Sequence, residues 1–402
     1  MVSSITKKTI SLAISLLVVV ISLTGVALGA GAPTVATLTS GPNGNGRYTP
    51  GFTGAPGKMS RDAAGNFYVA DFWGKGIVKL SRQGSKVGFI ATSGRPSAVA
   101  VLPDNRLVVA MVAPQAYVAF YSQMGSAPNV TGEESGQFGA PAQALYRPNA
   151  ITVDAAGYIY VLDAGDSSND AVNNVGKIRV YSSAGSYLYA IGARTNTDAT
   201  ATTITSDSDA RLKQPAGIAF EKVGNKIYVA DTMNYRLLIF TAYDGTSMKL
   251  VPTTPGPGSY IGRGVGIGVP VLGSNPVTFG NPVDMAFEYD GVPLLQRIYV
   301  VERGRNEVSV LDATTNRSTK FINDTISGAG LKLPNSVLFE KTATGGVLYT
   351  NSAATSTAAN VLALGIDGGT VPVLETLSIA TAVPPTVTAT PLAGGLTGTV
   401  SP

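Results

Sequence analysis

The chain has no cysteine and no histidine in 402 residues. Disulfides, thiol nucleophiles, Ser–His–Asp triads and every Cys- or His-ligated metal site are thereby excluded. Charge is also sparse, at 13% of residues, and aromatics make up only 7%. The formal charge is +4, and Lys7 and Lys8 at the extreme N-terminus supply half of it. So even a balance leaves no electrostatic footprint for nucleic acid. What the chain does have is 47 glycines and 24 prolines among 44% apolar residues. That mixture suits many short strands joined by tight turns and disfavours a helical bundle.

The two ends differ from the middle. Lys7-Lys8 precede an apolar run from Ile10 to Ala27, and small residues follow at Gly29-Ala30-Gly31. This is the order of a secretory signal peptide, so residues 1–30 are expected to be cleaved near Gly29 or Ala30 and the mature chain secreted, to the cell exterior or envelope. The competing reading is an uncleaved anchor, because the run approaches a membrane span in length. No cysteine follows to carry a lipid, and no later segment is long and apolar enough to span a membrane. Residues 31–41 form a lead-in with a candidate closing strand. From Val383 the sequence Pro-Pro-Thr-Val-Thr-Ala-Thr-Pro is uncharged and aperiodic. Residues 383–402 therefore read as a linker, or as the start of a further module.

Between these ends, residues 42–382 repeat one template. A proline leads an alternating apolar stretch, then come a Gly/Asn/Asp turn, a Tyr/Val-rich stretch, a polar loop and a third stretch. The plainest copy runs Pro215-Ala-Gly-Ile-Ala-Phe220, turn, Ile227-Tyr-Val-Ala-Asp231, loop, Arg236-Leu-Leu-Ile-Phe240. Other copies start at Pro56, Pro96, Pro148, Pro282 and Pro334. Period-2 alternation makes these strands, with room for a fourth in each unit. Six such units arranged radially predict an all-β, six-bladed β-propeller. The chain ends are expected to supply closing strands at Thr34–Leu38 and at Val371–Leu374 through Ile379, since an unpaired edge invites aggregation.

The segment Gly217-Ile-Ala-Phe220 with Lys226-Ile-Tyr-Val-Ala-Asp231-Thr-Met-Asn-Tyr-Arg236 resembles the NHL repeat of six-bladed propellers. So does the Gly-rich approach Gly132-Glu-Glu-Ser-Gly-Gln-Phe138. The similarity extends over about residues 42–380 and weakens in the first and last copies. Tyr235 stands where the family commonly has histidine, and Met111 and Ser352 replace the repeat aspartate. The resemblance implies a propeller fold and leaves the activity open.

Candidate functional residues fall into three groups. Asp71, Asp163, Asp231 and Glu302 align across repeats, and are expected to cap turns by accepting backbone N–H bonds rather than to form a functional ring. The loop carrying Asp163, Asp166, Asn169 and Asp170 is the densest set of oxygen ligands. It is a weak calcium candidate, lacking the spacing of an EF-hand loop. Asp284, Asn149, Asn335 and Ser97 are placed near the axis by the alignment. Gly262–Gly268 imitates a phosphate loop in composition only. Long insertions at Ser122–Arg147, Ala164–Gly176, Ser186–Gln214 and Thr246–Asn281 gather on one face, as on a repeat protein with a binding surface.

The leading expectation is an exported, non-catalytic binding or scaffolding module with no cofactor, holding a protein, glycan or small ligand by that face. Six-bladed lyases and lactonases of similar architecture use histidine with zinc, or a carboxylate/Asn calcium site. Only the second is open to this composition. The alternatives are therefore a calcium-dependent, lactonase-like hydrolase with oxygen-only ligands, or a structural spacer of the cell envelope.

Overall fold

A computed structural model describes residues 34–40, 56–122, 134–138, 145–165, 176–192, 201–202, 212–251, 260–261, 278–291, 293–323, 331, 333–352 and 360–367. Among them the one helical element is a 3-10 turn at Thr232–Asn234, and the remaining regular structure is strand. No helix among the described residues is long and apolar enough to cross a membrane. The insertion loops, the ends at residues 1–33 and 368–402, and the second closing candidate at 371–379 lie mostly or wholly outside the described residues.

The strands form six sheets, each begun by one Pro-led segment. The first pairs Pro56–Arg61, Phe67–Asp71, Gly76–Leu80 and Lys86–Ala91 in antiparallel order. Corresponding sheets begin at Arg95–Val101, Pro148–Val153, Gly217–Glu221, Pro282–Tyr289 and Val337–Lys341. The third carries an added parallel pair, Ala201–Thr202 against Tyr187–Ile191. The sixth takes its outer strand from the other end of the chain, where Thr34–Ser40 pairs antiparallel with Asn360–Ile366.

Turn chemistry fixes the hairpins. Asp154 Oδ1 accepts the backbone N–H groups of Ala156 and Tyr158, each at 2.9 Å, and Gly157 supplies the positive φ of +85°. A short side chain bonding its own turn and a residue without Cβ are what such a tight reversal demands.

Each strand presents alternate residues to two neighbours. Tyr228 and Ala230 pack toward the fifth sheet, and Ile227 and Val229 toward the third. The result is six apolar clusters, each shared by two adjacent sheets, including one between the first and the sixth. The innermost strands contact one another in the same order, and Val337–Lys341 contacts Pro56–Arg61. This is a β-propeller-like architecture, with the core lying between sheets and the Pro-led strands around the centre.

Candidate functional site

Three layers of side chains can be followed from the rim to the axis. At the rim, Asp163, Asp231 and Glu302 tie the second strand of their sheet to the loop entering the innermost strand, whereas Asp71 bonds the turn that follows it. Asp231 is fully buried and accepts from Lys213 N at 2.6 Å, Asn234 Nδ2 at 2.8 Å and Arg236 Nε at 2.8 Å. Burial pushes its carboxyl above the usual range, with Arg236 opposing. Asp163 accepts from Arg147 N at 2.8 Å, Tyr146 N at 3.1 Å and Gly165 N at 3.2 Å. Glu302 accepts from Gly280 N at 2.5 Å and from Ser309 Oγ, with Arg305 Nη1 at 3.1 Å. Asp71 accepts from Gly74 N at 3.0 Å. In the sixth sheet Asn351 holds the corresponding place, its Oδ1 accepting from Asn335 N and Ser336 N at 3.0 and 2.9 Å. The repeat alignment put Ser352 there, one residue away. Of the calcium candidates, Asp163 is occupied as described, while Asp166, Asn169 and Asp170 lie outside the described residues.

The second layer is formed by the residues directly after each leading proline. Ser97 Oγ donates to Pro148 O, Asn149 Nδ2 donates to Pro215 O at 3.2 Å, and Asn335 Nδ2 donates to Pro56 O at 3.4 Å. Three of the residues expected near the axis thus stitch one innermost strand to the next. On the same side, Arg147, Asn149, Gln214, Thr232, Asn281 and Arg303 line an opening of about 310 Å³. Arg147 Nε and Asn281 Oδ1 are buried there without a hydrogen-bond partner.

The third layer holds the charge. Two residues on from the leading prolines stand Lys58, Ala98, Ala150, Gly217, Asp284 and Ser336. Lys58 and Asp284 are 5% and 7% exposed and face each other, Nζ to Oδ2, at 3.9 Å. Lys58 Nζ also donates to Val283 O and Asn335 O, each at 2.5 Å. Asp284 Oδ2 accepts from Val337 N at 3.1 Å, and its carboxylate is bonded by the Ser336 side chain. Ser336 Oγ in turn accepts from Met59 N at 3.1 Å. Burial lowers the Lys58 ammonium to about 8, against the pull of Asp284, and Arg303 adds to the lowering. Burial likewise raises the Asp284 carboxyl, against the pull of Lys58. Both residues line a cavity of about 380 Å³ that continues along the innermost strands to Lys222 and Tyr289.

Sequence reasoning singled out Asp284 and missed Lys58. The signal was present: Pro56-Gly-Lys58-Met and Pro282-Val-Asp284-Met place opposite charges at one position of two aligned repeats.

A calcium site at the axis, as the hydrolase alternative required, does not fit these residues. No group of three or more carboxylates that could hold a metal occurs among the described residues. Asp284 is the one acid of its layer, and the Lys58 ammonium already takes its carbonyl neighbours. A divalent cation about 4 Å from that fixed charge would meet repulsion on the order of 8 kcal/mol at an effective dielectric constant of 20.

Repeating antiparallel sheets around a polar centre define the class as a β-propeller-like protein. The sequence pattern of the SMP-30/gluconolactonase/LRE-like region matches residues 55–255, half of the chain, and the protein belongs to that family. No curated protein sequence matches the chain. Among solved structures, a gluconolactonase from Xanthomonas campestris superposes with a TM-score of 0.51 at 15% identity, covering 85% of this chain and 93% of its own. A putative gluconolactonase gives 0.51 at 12% identity, covering 83% and 92%. A Bacteroides thetaiotaomicron protein of unknown function gives 0.56 at 12% identity, covering 83% and 76%. At these identities the likeness carries the fold. The family membership overturns the leading expectation of a non-catalytic binding or scaffolding module, because it favours a lactonase-like enzyme propeller.

Proposed function

We propose that the protein is a lactonase-like hydrolase on a six-bladed propeller, with Lys58 and Asp284 as its reacting groups. The observation that carries this reading is a buried ammonium and a buried carboxylate 3.9 Å apart, lining one axial cavity in a member of this family. Hydrolysis of a lactone needs a proton acceptor for water and a positive group for the oxygen on which charge develops. Asp284, with its carboxyl raised by burial, takes the water proton as the C–O bond forms at the acyl carbon. Lys58 stabilises the oxyanion. When the ring C–O bond breaks, the departing alkoxide receives the proton and a hydroxy acid is released.

The test is hydrolysis by the full chain across a panel of aliphatic and aromatic lactones. Lys58→Met and Asp284→Asn should each lower kcat/KM by roughly 100-fold or more, with the circular dichroism spectrum retained. Absence of turnover across the panel, or full activity in both variants, would sink the proposal.

Six blades are supported by the six shared clusters. An NHL-like descent of the repeats rests on the Asp231–Arg236 segment. Export through residues 1–30 rests on their sequence alone, and N-terminal sequencing of the mature protein would read it directly.

A further inference from the structure

We infer that Lys58 is a built-in cation: its tethered ammonium fills the axial position that a divalent metal would otherwise need, and makes this propeller independent of metal. The inference shares its layer with the hydrolase reading but is tested without any substrate, so either can fail alone.

The surroundings of Lys58 Nζ are those of a cation site rather than of a surface lysine. Two backbone carbonyls from two different sheets, Val283 O and Asn335 O, converge on it at 2.5 Å, and a carboxylate oxygen stands at 3.9 Å. Carbonyl and carboxylate oxygens gathered from separate strands are what a hard cation takes as ligands. Here the positive charge arrives on a side chain from a third sheet. Each carbonyl belongs to a residue directly after a leading proline, so the backbone of the innermost strands is shaped to hold charge at this point. Ser336 bridges the pair by bonding the Asp284 side chain while accepting from Met59 N. The ammonium is therefore part of the packing between the first, fifth and sixth sheets. A covalently held cation cannot be chelated away, and its position is fixed by the fold of Pro56–Arg61.

The experiment is thermal melting and isothermal titration of the full chain with calcium chloride alone, before and after EDTA treatment. The wild-type midpoint should move by less than about a degree in either condition. Lys58→Gln and Lys58→Glu remove the ammonium and offer an oxygen in its place. At least one of them should gain a saturable calcium-binding event and a rise of several degrees in calcium. A wild-type calcium response that Asp284→Asn abolishes would overturn the inference. A wild-type response that survives Asp284→Asn is binding elsewhere on the chain, and the axial claim then stands only if a Lys58 variant adds a second event. Folded Lys58 variants that gain no calcium binding would overturn it too. Should neither variant fold, the wild-type and Asp284→Asn titrations decide alone.

Discussion

Lys58 shows how one side chain couples stability to pH. Its ammonium titrates near 8 in the folded protein and near 10.5 when the chain is unfolded. Between these values the unfolded state binds more protons, so stability rises with pH across that window. Below about pH 8 the full penalty of a buried charge is present, on the order of 3 kcal/mol. The charged groups acting on it are Asp284, which holds the proton on, and Arg303, which drives it off. Denaturant unfolding of wild type and Lys58→Met from pH 7 to 10.5 should therefore show the wild type gaining on the variant above pH 8. A constant difference between the two would refute the assignment. This residue was easy to miss in the sequence, because lysine is almost never fully buried and the opposite charge that marks its position stands in a repeat more than two hundred residues away. Asp231 and its counterparts were legible because recurrence at one repeat position leaves a pattern. Asn351 escaped because an amide does the carboxylate's work one residue out of frame.

Strands were the most legible elements, because short apolar, Tyr/Val-rich runs recur between turn signals. The second strands, such as Phe67–Asp71 and Ile159–Asp163, are buried along their whole length and so read as continuous apolar runs. Less legible was what the tyrosines do. Tyr160 donates to Asp154 at 2.7 Å, Tyr299 to Glu288 at 2.6 Å and Tyr349 to Glu340 at 2.7 Å. Each phenol on a second strand thus meets an acid at the end of the innermost strand, and burial beside that acid raises it. Such pairs join residues 6 to 11 positions apart, a spacing that varies with turn length and so leaves no fixed motif. The innermost strands also approach closely enough to require glycine. A Cβ at Gly217 would stand 2.2 Å from Val283 O and 2.9 Å from Asp284 Cα. Backbone cannot move aside as a flexible side chain can. Gly217→Ala should cost about 1–3 kcal/mol in urea unfolding. It should also disturb Asp284, lowering the proposed lactone hydrolysis along with stability. An alanine variant of wild-type stability would mean the fourth and fifth sheets sit farther apart.

At the scale of the molecule, the Pro-led repeat and the all-β class could be read from the sequence, whereas the activity could not. Composition removed the histidine and cysteine chemistries but said nothing of a lysine–aspartate pair drawn from repeats more than two hundred residues apart. The sixth sheet poses the last question, because it is built from both ends of the chain. Its third strand, Asn360–Ile366, carries mostly buried residues and is covered along its outer edge by Thr34–Ser40. The register has one irregularity, between Thr37 and Thr39, and otherwise runs from Thr34 opposite Gly365 to Ser40 opposite Asn360. The strand belongs to the beginning of the chain, so it holds the first and last described segments together. Without it, the N–H and C=O groups facing Thr34–Ser40 would be open to any other extended chain. A variant beginning at Gly41 should therefore melt at a lower temperature than the chain beginning at Gly31. It should also elute partly as higher oligomers in size-exclusion chromatography, because an apolar edge strand is a template for pairing between molecules. Equal midpoints and a single monomeric peak for both would mean that the sixth sheet is complete with three strands.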